Sequence, residues 1–462
     1  MRMDDTICAL STPAGMGAIA LIRLSGPQAL AIGGNHFKPA SGKSLQQQQG
    51  YSLHFGRFEQ QNELIDEVMV GLYRAPQSYT GEDTLEISCH GSIYIQQQII
   101  RNLLKSGARL AEPGEYTMRA FANGKLDLSQ AEAVADLIES ESSAAHRVAL
   151  QQMRGGISHE IKELREQLIK FASLVELELD FGEEDVEFAD RRELRTLLAE
   201  IKTVVSRLMS SFATGSVIKK GVPIAIVGAP NAGKSTLLNA LLREEKAIVT
   251  EIAGTTRDAI EDVINIEGIP FRFIDTAGIR DTSDKVESIG IEKTWEKIEQ
   301  SQVVLYLFSV MHLLENPREV MAEISRLRDK TAGKHLVVVG NKIDLTTPEK
   351  LEELMPAEDA HYISALNGDG LDELIATLLD QVNLNMLNSN QSIITNERHY
   401  RALEDSLTDI ERVELGLDTN ISGDFLAMDI REALKHLGSI IGEVDVDQDI
   451  LGAIFSKFCI GK

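Results

Sequence analysis

The stretch GAPNAGKST at residues 228–236 decides the fold of this chain. An apolar run precedes it and a helix-like segment follows it, which is the order of strand, glycine-bounded loop and helix that a phosphate-binding loop requires. Gly228 and Gly233 allow a sharp turn whose backbone N–H groups point at phosphate oxygens. We expect Lys234 to reach the β- and γ-phosphates and the Ser235 hydroxyl to coordinate magnesium.

Three further motifs follow apolar strands downstream of this loop. DTAG at residues 275–278 places a carboxylate near the magnesium shell and a backbone N–H near the γ-phosphate. NKID at residues 341–344 places Asp344 where one carboxylate accepts from both the ring N–H and the exocyclic amine of guanine, a pair of donors that adenine lacks. SAL at residues 364–366 fits the last base-contacting loop, although leucine stands where lysine is common. Taken alone, the first motif could also be a glycine-rich turn that binds nothing. Together, the motifs predict a GTP site.

Length and composition limit the classes of protein to consider. The 462 residues suggest about three domains, and a hydrophobic content of 43% is ample for buried cores. A net charge of −25 argues against a chain covered with nucleic-acid-binding charge, so RNA contact needs a local basic patch. No apolar run approaches the roughly 18 residues of a membrane span. The acidic start and three separated cysteines predict a soluble protein of the cytoplasm.

The first 118 residues predict an α+β domain. Strand-like runs lie at residues 18–23, 67–72 and 84–88, and residues 94–104 have the pattern of a helix. Long helical patterns begin after this domain, where Ser129 and Glu132 have the spacing of a capping box.

Apolar strands then alternate with helices, which predicts a mainly parallel sheet with helices on both faces and nucleotide at the carboxyl ends of the strands. These strands are expected at residues 224–227, 263–266, 271–274, 303–308, 336–339 and 362–363. The predicted fold class is therefore multidomain α/β and α. It comprises an N-terminal α+β domain at 1–118, a discontinuous helical domain at 119–216 and 380–462, and an inserted P-loop GTPase (Ras-like) domain at 217–379.

Motifs across the whole chain also resemble a known family. The loop TEIAGTTRD at residues 250–258, taken with Asn231, resembles the TrmE-Era-Der-like GTPases, which use potassium in place of an arginine finger. The tRNA wobble-uridine modification GTPases of bacteria and organelles are similar in four more motifs: ALIRLSG at 20–26, TGEDTLEISCHG at 80–91, NGKLDLSQAEA at 123–133 and FCIGK at 458–462.

The resemblance implies that the N-terminal domain binds a formyl- or methylene-tetrahydrofolate and, with the helical halves, holds a homodimer. Arg23, Glu86, Lys125 and Lys462 carry over as folate contacts. Arginine and lysine suit the glutamate carboxylates of folate, and Glu86 suits the N–H donors of the pterin. Without the resemblance, each of these residues would be interpreted as a member of a surface ion pair.

The resemblance also implies the metal ligands and the catalytic residue. Potassium would be held by Asn231 and by backbone oxygens of Thr250, Ile252 and Thr255, and magnesium by Ser235 and Thr256. Glu287 carries over as the residue that orients water, because Ile279 stands where Ras-like enzymes have glutamine. Without the resemblance, the simpler interpretation of Glu287 is a solvated acid near a helix start, and Cys459 is either a nucleophile or a structural thiol.

The residues expected to contact GTP lie in five segments. They are Asn231, Ala232, Gly233, Lys234, Ser235 and Thr236; Thr250, Glu251, Ile252, Ala253, Gly254, Thr255 and Thr256; Asp275, Thr276, Ala277 and Gly278; Asn341, Lys342 and Asp344; and Ser364, Ala365 and Leu366.

The family implies a function in tRNA. Its members hydrolyse GTP within a complex that adds an aminomethyl or carboxymethylaminomethyl group to carbon five of the wobble uridine of certain tRNAs. The implied partners are a second copy of the chain, tRNA, and the FAD-dependent protein MnmG (GidA). A ribosome-assembly GTPase switch is the alternative, and a regulatory dimer that uses nucleotide only as a signal is a third. Neither alternative requires Arg23, Glu86 and Lys125 together.

Overall fold

The computed structural model describes residues 4–180, 191–245, 262–274, 298–331, 333–356, 359–380, 392–419 and 421–443, together with 451, 454, 455, 458 and 461. The chain divides into two compact units. The first contains Met1–Ile138, Gln152–Ala199 and Asp405–Lys462, and the second contains Glu139–Gln151 and Glu200–Glu404. No helix within the described segments is both long enough and apolar enough to span a bilayer.

Seven strands form the sheet of the first unit, in the spatial order β3-β4-β5-β6-β2-β1-β7. They are β1 (Ile7–Leu10), β2 (Ile19–Ser25), β3 (Phe37–Pro39), β4 (Ser52–Gln60), β5 (Glu63–Tyr73), β6 (Thr84–His90) and β7 (Arg109–Leu110). Only β1 and β7 pair in parallel among these strands. The three expected strand-like runs fall in β2, β5 and β6 and are confirmed. The sequence pattern did not predict the other four strands.

Side-chain alternation gives this sheet one covered face and one that is open except along β1, where Ile7 and Ala9 are buried with Tyr116. In β6, Leu85, Ile87 and Cys89 are buried in a core shared with helices α1 (Ala29–His36) and α2 (Ile93–Lys105), the second of which matches the expected helix. Glu86 lies between them in sequence and therefore projects from the opposite face. This alternation places Glu86 on the open side of the sheet, opposite the helices.

A fully buried arginine, Arg119, ties helix α3 (Glu115–Ala122) to the start of β1. Its guanidinium donates to the carbonyl oxygen of Asp5 at 2.8 Å and to the Asp5 carboxylate at 2.6 Å. It also pairs with Glu82 and Glu115, each at 3.0 Å. Arg109 of β7 completes the network, because it pairs with both Asp5 and Glu115. The network therefore joins three acids and two arginines, of which Arg119 and Glu115 are fully buried.

The network favours the charged form of Asp5 and Glu115. Hydrogen bonds from Arg109 lower the pKa of Asp5, against the opposing effect of burial. Burial alone would raise the pKa of Glu115, but hydrogen bonds from Arg109, the Glu112 N–H and Arg119 outweigh it, so that pKa is also lowered. A depressed carboxyl pKa stabilises the fold above the unfolded pKa, and the contribution disappears as pH falls through the folded value.

The helices that follow are α4 (Leu128–Glu139), α5 (Ser143–Met153), α6 (Gly156–Asp180) and α7 (Arg191–Lys220). The expected capping box at Ser129 is wrong. Asp127 caps α4 instead: its carboxylate accepts from the Gln130 N–H at 2.9 Å, and the Gln130 side chain accepts from the Asp127 N–H at 3.0 Å. Asp127 lies one residue before the helix, where such a reciprocal pair satisfies two free N–H groups, whereas Ser129 is already helical and buried.

The second unit contains a six-stranded sheet in the order β13-β12-β11-β8-β10-β9. Its strands are β8 (Val222–Val227), β9 (Asp262–Ile266), β10 (Ile269–Phe273), β11 (Val303–Ser309), β12 (His335–Asn341) and β13 (His361–Ile363). All neighbours are parallel except β9 and β10. The expected mainly parallel sheet is confirmed. Separate apolar cores on its two faces explain why β11 is almost continuously apolar.

Among the described residues, five helices accompany this sheet and two more follow it. They are α8 (Lys234–Glu245), α9 (Val310–Glu315), α10 (Pro317–Lys330), α11 (Pro348–Glu352), α12 (Leu371–Asp380), α13 (Glu397–Asp418) and α14 (Gly423–Ile441). In the first unit, α14 packs along α6. The loops after β8, β12 and β13 emerge at the carboxyl edge of the parallel sheet, which is where the predicted nucleotide motifs lie.

The buried acid Glu115 yields a stability prediction. Glu115→Gln removes the buried carboxylate that accepts from Arg109 and Arg119, and it should lower the free energy of unfolding by about 3–5 kcal/mol at neutral pH. This deficit should shrink as pH falls below the unfolded carboxyl pKa of about 4.3, because the unfolded carboxyl then takes up a proton while the native one stays charged. It should be lost as pH falls through the depressed native pKa. Hydrogen–deuterium exchange of α3 over a urea series measures both effects.

Glu112→Gln is the matched control, since it makes the same chemical change at an exposed position three residues away. A deficit of equal size in both variants, or one independent of pH, would contradict the role given to the buried network.

Candidate functional site

Two positions of the phosphate loop at residues 228–233 have room only for glycine. Gly228 has φ +147°, and a Cβ there would lie 2.0 Å from the carbonyl oxygen of Leu307 on β11. Gly233 has φ +100°, and a Cβ there would lie 2.2 Å from the Asn341 amide nitrogen. The loop is therefore pressed against two neighbouring strands, which fixes the direction of its N–H groups.

Lys234 opens helix α8 and lies over this loop. Its ammonium donates to the carbonyl oxygens of Gly228 at 2.5 Å and Ala229 at 3.2 Å. Ser235 and Thr236 follow in the first turn of the helix, half-buried and exposed respectively. The arrangement brings a cation, a helix N-terminus and a hydroxyl to one place, as phosphate and magnesium binding require.

One buried amide joins the phosphate loop to the base-binding loops. The Asn341 side chain, 2% exposed, donates to the Ala232 carbonyl oxygen at 2.9 Å. Its oxygen accepts from the Lys342 N–H at 2.8 Å and from the Ala365 N–H at 3.0 Å. Asn341 therefore contacts the three segments that follow β8, β12 and β13. The sequence identified Asn341 as a base-site residue but did not predict this bridge.

Lys342 adds a second link between the same loops. Its backbone lies in the left-handed region, at φ +73°, and its ammonium donates to the Asn231 carbonyl oxygen at 2.8 Å. Asn231 is itself left-handed, at φ +62°, and exposed. The contact fixes the backbone of Asn231 and leaves its side-chain amide on the surface of the loop.

Asp344, the expected guanine reader, is exposed and held by Ser364. The Ser364 hydroxyl, fully buried, donates to the Asp344 carboxylate at 2.7 Å. An ionised carboxylate has about four acceptor positions, so this bond leaves capacity for the two guanine donors. Leu366 is 76% exposed. The structure therefore brings Asp344, Ser364 and Asn341 together as one loop cluster beside the phosphate loop.

The other nucleotide residues fall outside the described part of the chain. These are Thr250, Glu251, Ile252, Ala253, Gly254, Thr255, Thr256, Asp275, Thr276, Ala277, Gly278 and Glu287. Cys459 and Lys462 fall outside it as well. Predictions for these residues remain predictions.

A second polar group lies on the open face of the N-terminal sheet. Arg23 of β2 and Glu86 of β6 are direct cross-strand partners, and the Arg23 guanidinium binds the Glu86 carboxylate at 2.7 and 3.0 Å. Both side chains are partly exposed, at 15% and 23%. The Gly461 carbonyl oxygen accepts from Arg23 at 3.5 Å and from the Ser11 hydroxyl at 3.1 Å.

Three tyrosines surround this pair. The Arg23 guanidinium carbon lies 5.5 Å from the ring centroids of Tyr79 and Tyr116, within cation–π range. The Tyr73 hydroxyl donates to Glu86 at 3.4 Å. Burial raises the pKa of Tyr79 and Tyr116, so both rings stay neutral. The sequence did not predict these tyrosines. Tyr73 could have been identified from the pairing of β5 with β6, whereas the positions of Tyr79 and Tyr116 depend on loop and helix packing.

Lys125 lies at the edge of this group. Its ammonium donates to the Pro76 carbonyl oxygen at 3.1 Å, and its stem lies 3.5 Å from the Cβ position of Gly81. Both contacts are to the loop that carries Tyr79. Arg23 and Glu86 thus contact one another, and Lys125 approaches them through the loop between β5 and β6.

Comparison with known proteins places this chain in a family. The family model described as the MnmE helical domain matches residues 128–459, which is more than half of the chain, and that described as the GTP-binding protein TrmE N-terminus matches residues 6–125. The chain belongs to the MnmE family of tRNA modification GTPases.

Individual members of the MnmE family align along the whole chain. The chain is 55% identical to the tRNA modification GTPases MnmE of Christiangramia forsetii and Flavobacterium johnsoniae, with 100% of each chain covered. It is 54% identical to that of Bacteroides fragilis, over 99% of this chain and 100% of the relative. A crystal structure of Aquifex aeolicus Era bound to GDP and AlF4− is 30% identical over 40% of this chain and 65% of that one, with a TM-score of 0.27.

The exposed carboxylate of Asp344 yields a specificity prediction for this MnmE family member. Asp344→Asn should reduce GTP affinity by about 10²–10⁴-fold, because two hydrogen bonds to a charged group are lost at about 1.5–3 kcal/mol each. The variant should instead favour xanthosine triphosphate, whose ring presents a carbonyl in place of the amine. Competition against a fluorescent nucleotide measures both affinities.

Asp369→Asn serves as the control, because Asp369 is an exposed acid in the adjacent loop. Equal affinity of the unmutated protein for ATP and GTP would remove the basis of the assignment.

Proposed function

We propose that this chain is the GTP-hydrolysing component of a complex that adds an aminomethyl or carboxymethylaminomethyl group to carbon five of the wobble uridine in certain tRNAs. Membership of the MnmE family supports tRNA modification by a GTPase. The observation that carries the GTP assignment is the Asn341 bridge, which holds a phosphate loop and a guanine-type acid in one site. Mass spectrometry of tRNA nucleosides from a deletion strain tests the modification itself.

The described residues support distinct steps at the nucleotide. The N–H groups of the phosphate loop and the Lys234 ammonium bind phosphate oxygens, and Asp344 selects guanine. Magnesium fits the Ser235 hydroxyl at the start of α8, and Thr256 is proposed as its companion; when bound, the ion neutralises charge on the β- and γ-phosphates. Glu287 is proposed to orient the attacking water.

Potassium is proposed to neutralise transition-state charge in place of an arginine finger. The exposed amide of Asn231 is a neutral oxygen donor whose backbone is fixed by Lys342, which favours a preformed ligand. Thr250, Ile252 and Thr255 are proposed to supply the remaining oxygens. A ring of neutral oxygens suits a large monovalent cation better than sodium, which is too small to contact them all.

The N-terminal group is proposed to bind a formyl- or methylene-tetrahydrofolate. Glu86 suits the pterin N–H donors, Arg23 and Lys125 suit the glutamate carboxylates, and Lys462 is proposed as a further cation. The ring of Tyr79, which lies beside Arg23, offers an apolar wall for a flat heterocycle. Because folate contacts would compete with the Arg23 and Glu86 ion pair, binding should separate these two side chains.

The partners are proposed to be a second copy of the chain, tRNA and the FAD-dependent protein MnmG. The open face of the N-terminal sheet supports a homodimer, since Ile19, Leu53 and Phe55 are 66%, 65% and 51% exposed. The net charge of −25 disfavours binding of a polyanion by this chain alone, which supports a partner that contributes basic surface. A cytoplasmic location is proposed with this function.

The folate pocket is tested by calorimetry with a reduced formyl-folate and the full chain. Glu86→Gln should weaken binding by about 10–100-fold, because a charge-assisted hydrogen bond is worth about 1.5–3 kcal/mol. Glu63→Gln is the control, as it alters an exposed acid at the start of β5. Absence of folate binding by the unmutated full chain would reject the pocket without affecting the GTP site.

The potassium site is tested by the rate of GTP hydrolysis in potassium and in sodium at equal ionic strength. The unmutated protein should hydrolyse GTP much faster in potassium than in sodium, since an arginine finger in the same role increases the rate roughly 10³–10⁵-fold. Asn231→Ala should bring the two rates together while GTP still binds. Asn239→Ala, an exposed amide on α8, should keep the difference. Equal rates in both salts for the unmutated protein would exclude the mechanism.

A further inference from the structure

The β9–β10 hairpin lies, along the sequence, between two of the segments expected to contact GTP. In sequence, β9 begins at Asp262, after the predicted potassium loop at 250–256, and β10 ends at Phe273, just before DTAG at 275–278. Five register pairs join the strands, from Ile266 and Ile269 at the turn outward. Because the two strands are paired along their length, we expect a displacement at the open end of the hairpin to reach its turn.

The first turn of α5 contacts the turn of this hairpin, within the same compact unit. The Ala144 N–H donates to the Gly268 carbonyl oxygen at 3.2 Å, and the Asn265 amide donates to the Glu141 carbonyl oxygen at 3.1 Å. Gly268 has φ +85°, and a Cβ there would lie 2.1 Å from the Ser143 hydroxyl. We name these residues the hairpin joint: Glu141, Ser143 and Ala144 on one side, Asn265 and Gly268 on the other.

The helix at the joint is itself well held. The Ser142 hydroxyl caps α5 by accepting from the Ala145 N–H at 3.1 Å. Ala144 and Val148 of α5 share a buried cluster with Ile218 of α7 and with Ile393. A second close approach lies at the end of α7, where the Cβ position of Gly221 is 3.1 Å from the Pro270 carbonyl oxygen of β10. The hairpin turn is therefore contacted by α5, and Pro270 of β10 lies beside Gly221, which joins α7 to the neighbouring strand β8.

We propose that the hairpin joint couples the nucleotide state to helix α5, and so acts as a positioning contact for the two nucleotide segments that flank the hairpin. The inference rests on the proposed GTP site. Two directional hydrogen bonds and a contact with no room for a methyl group make the joint sensitive to small shifts of the hairpin. Coupling is reciprocal, so α5 must also bias the preference of the site for GDP or GTP.

Hydrogen–deuterium exchange of residues 143–153 in the full chain tests the coupling. It is measured with GDP and with a non-hydrolysable GTP analogue, both at saturating concentration. We expect the exchange rates of α5 to differ between the two nucleotides in the unmutated protein. Gly268→Ala, which forces Ser143 away, and Asn265→Ala, which removes the hydrogen bond from a half-buried amide to Glu141, should each reduce the difference at least twofold.

Gly333→Ala is the matched control for Gly268→Ala. Gly333 has nearly the same backbone angle, φ +86°, but nothing within 4 Å of its Cβ position, so the variant adds equal backbone strain and no contact. It should keep the nucleotide-dependent difference. If the Gly268→Ala variant does not fold, the Asn265→Ala variant alone tests the coupling.

The affinity ratio for GDP over the GTP analogue separates coupling from general destabilisation. Loss of the joint should change this ratio, whereas a merely structural role lowers both affinities equally. The coupling alone would be overturned if α5 exchanged at the same rate with both bound nucleotides. It would also be overturned if the exchange difference and the affinity ratio were unchanged in both joint variants. Failure of the unmutated chain to bind either nucleotide would overturn the GTP site and the coupling with it.

Discussion

The nucleotide site depends on the side-chain amide of Asn341. Three strands of a parallel sheet end at one edge, and their loops have no regular hydrogen-bonding partners of their own. Asn341 supplies one donor and one acceptor that together satisfy groups on all three loops. Because these groups are buried, an unpaired one would cost about 1–3 kcal/mol, so the loops are stable only in the arrangement that satisfies the amide. The glycine at 233 follows from the same constraint, since any larger residue would displace Asn341.

In the N-terminal unit, charged side chains lie on the proposed binding face while the apolar core stays buried. Strand alternation separates the apolar side chains under α1 and α2 from Arg23 and Glu86 on the open side. The buried network around Arg119 anchors Glu82, which closes the loop that carries Tyr79. The loop beside the open group is therefore anchored by an ion pair to the fully buried Arg119.

The sequence predicted those features that depend on local pattern. Glycine spacing and apolar runs were enough for the phosphate loop and the parallel sheet, because steric limits and burial act over a few residues. Short strands such as β7, with two residues, leave no periodic signal. The capping box was misplaced because Asp127, Ser129 and Gln130 all suit a helix start, and only the observed hydrogen bonds select among them. The convergence of Tyr79, Tyr116 and Gly461 on Arg23 links residues up to 438 positions apart and has no local signature.

That long separation has a consequence for how the protein is made. Gly461 lies against strand β1, where a Cβ would come within 2.4 Å of the Leu10 carbonyl oxygen, and its own carbonyl receives Arg23. The N-terminal sheet emerges from the ribosome first, and at roughly 5–20 residues per second the matching glycine follows about 20–90 s later. During that interval β1 and Arg23 form part of a nascent chain whose final neighbour has not been synthesised. The order of translation thus leaves this face open until synthesis has passed residue 461, so a prematurely released chain would carry a folded sheet without its last contact.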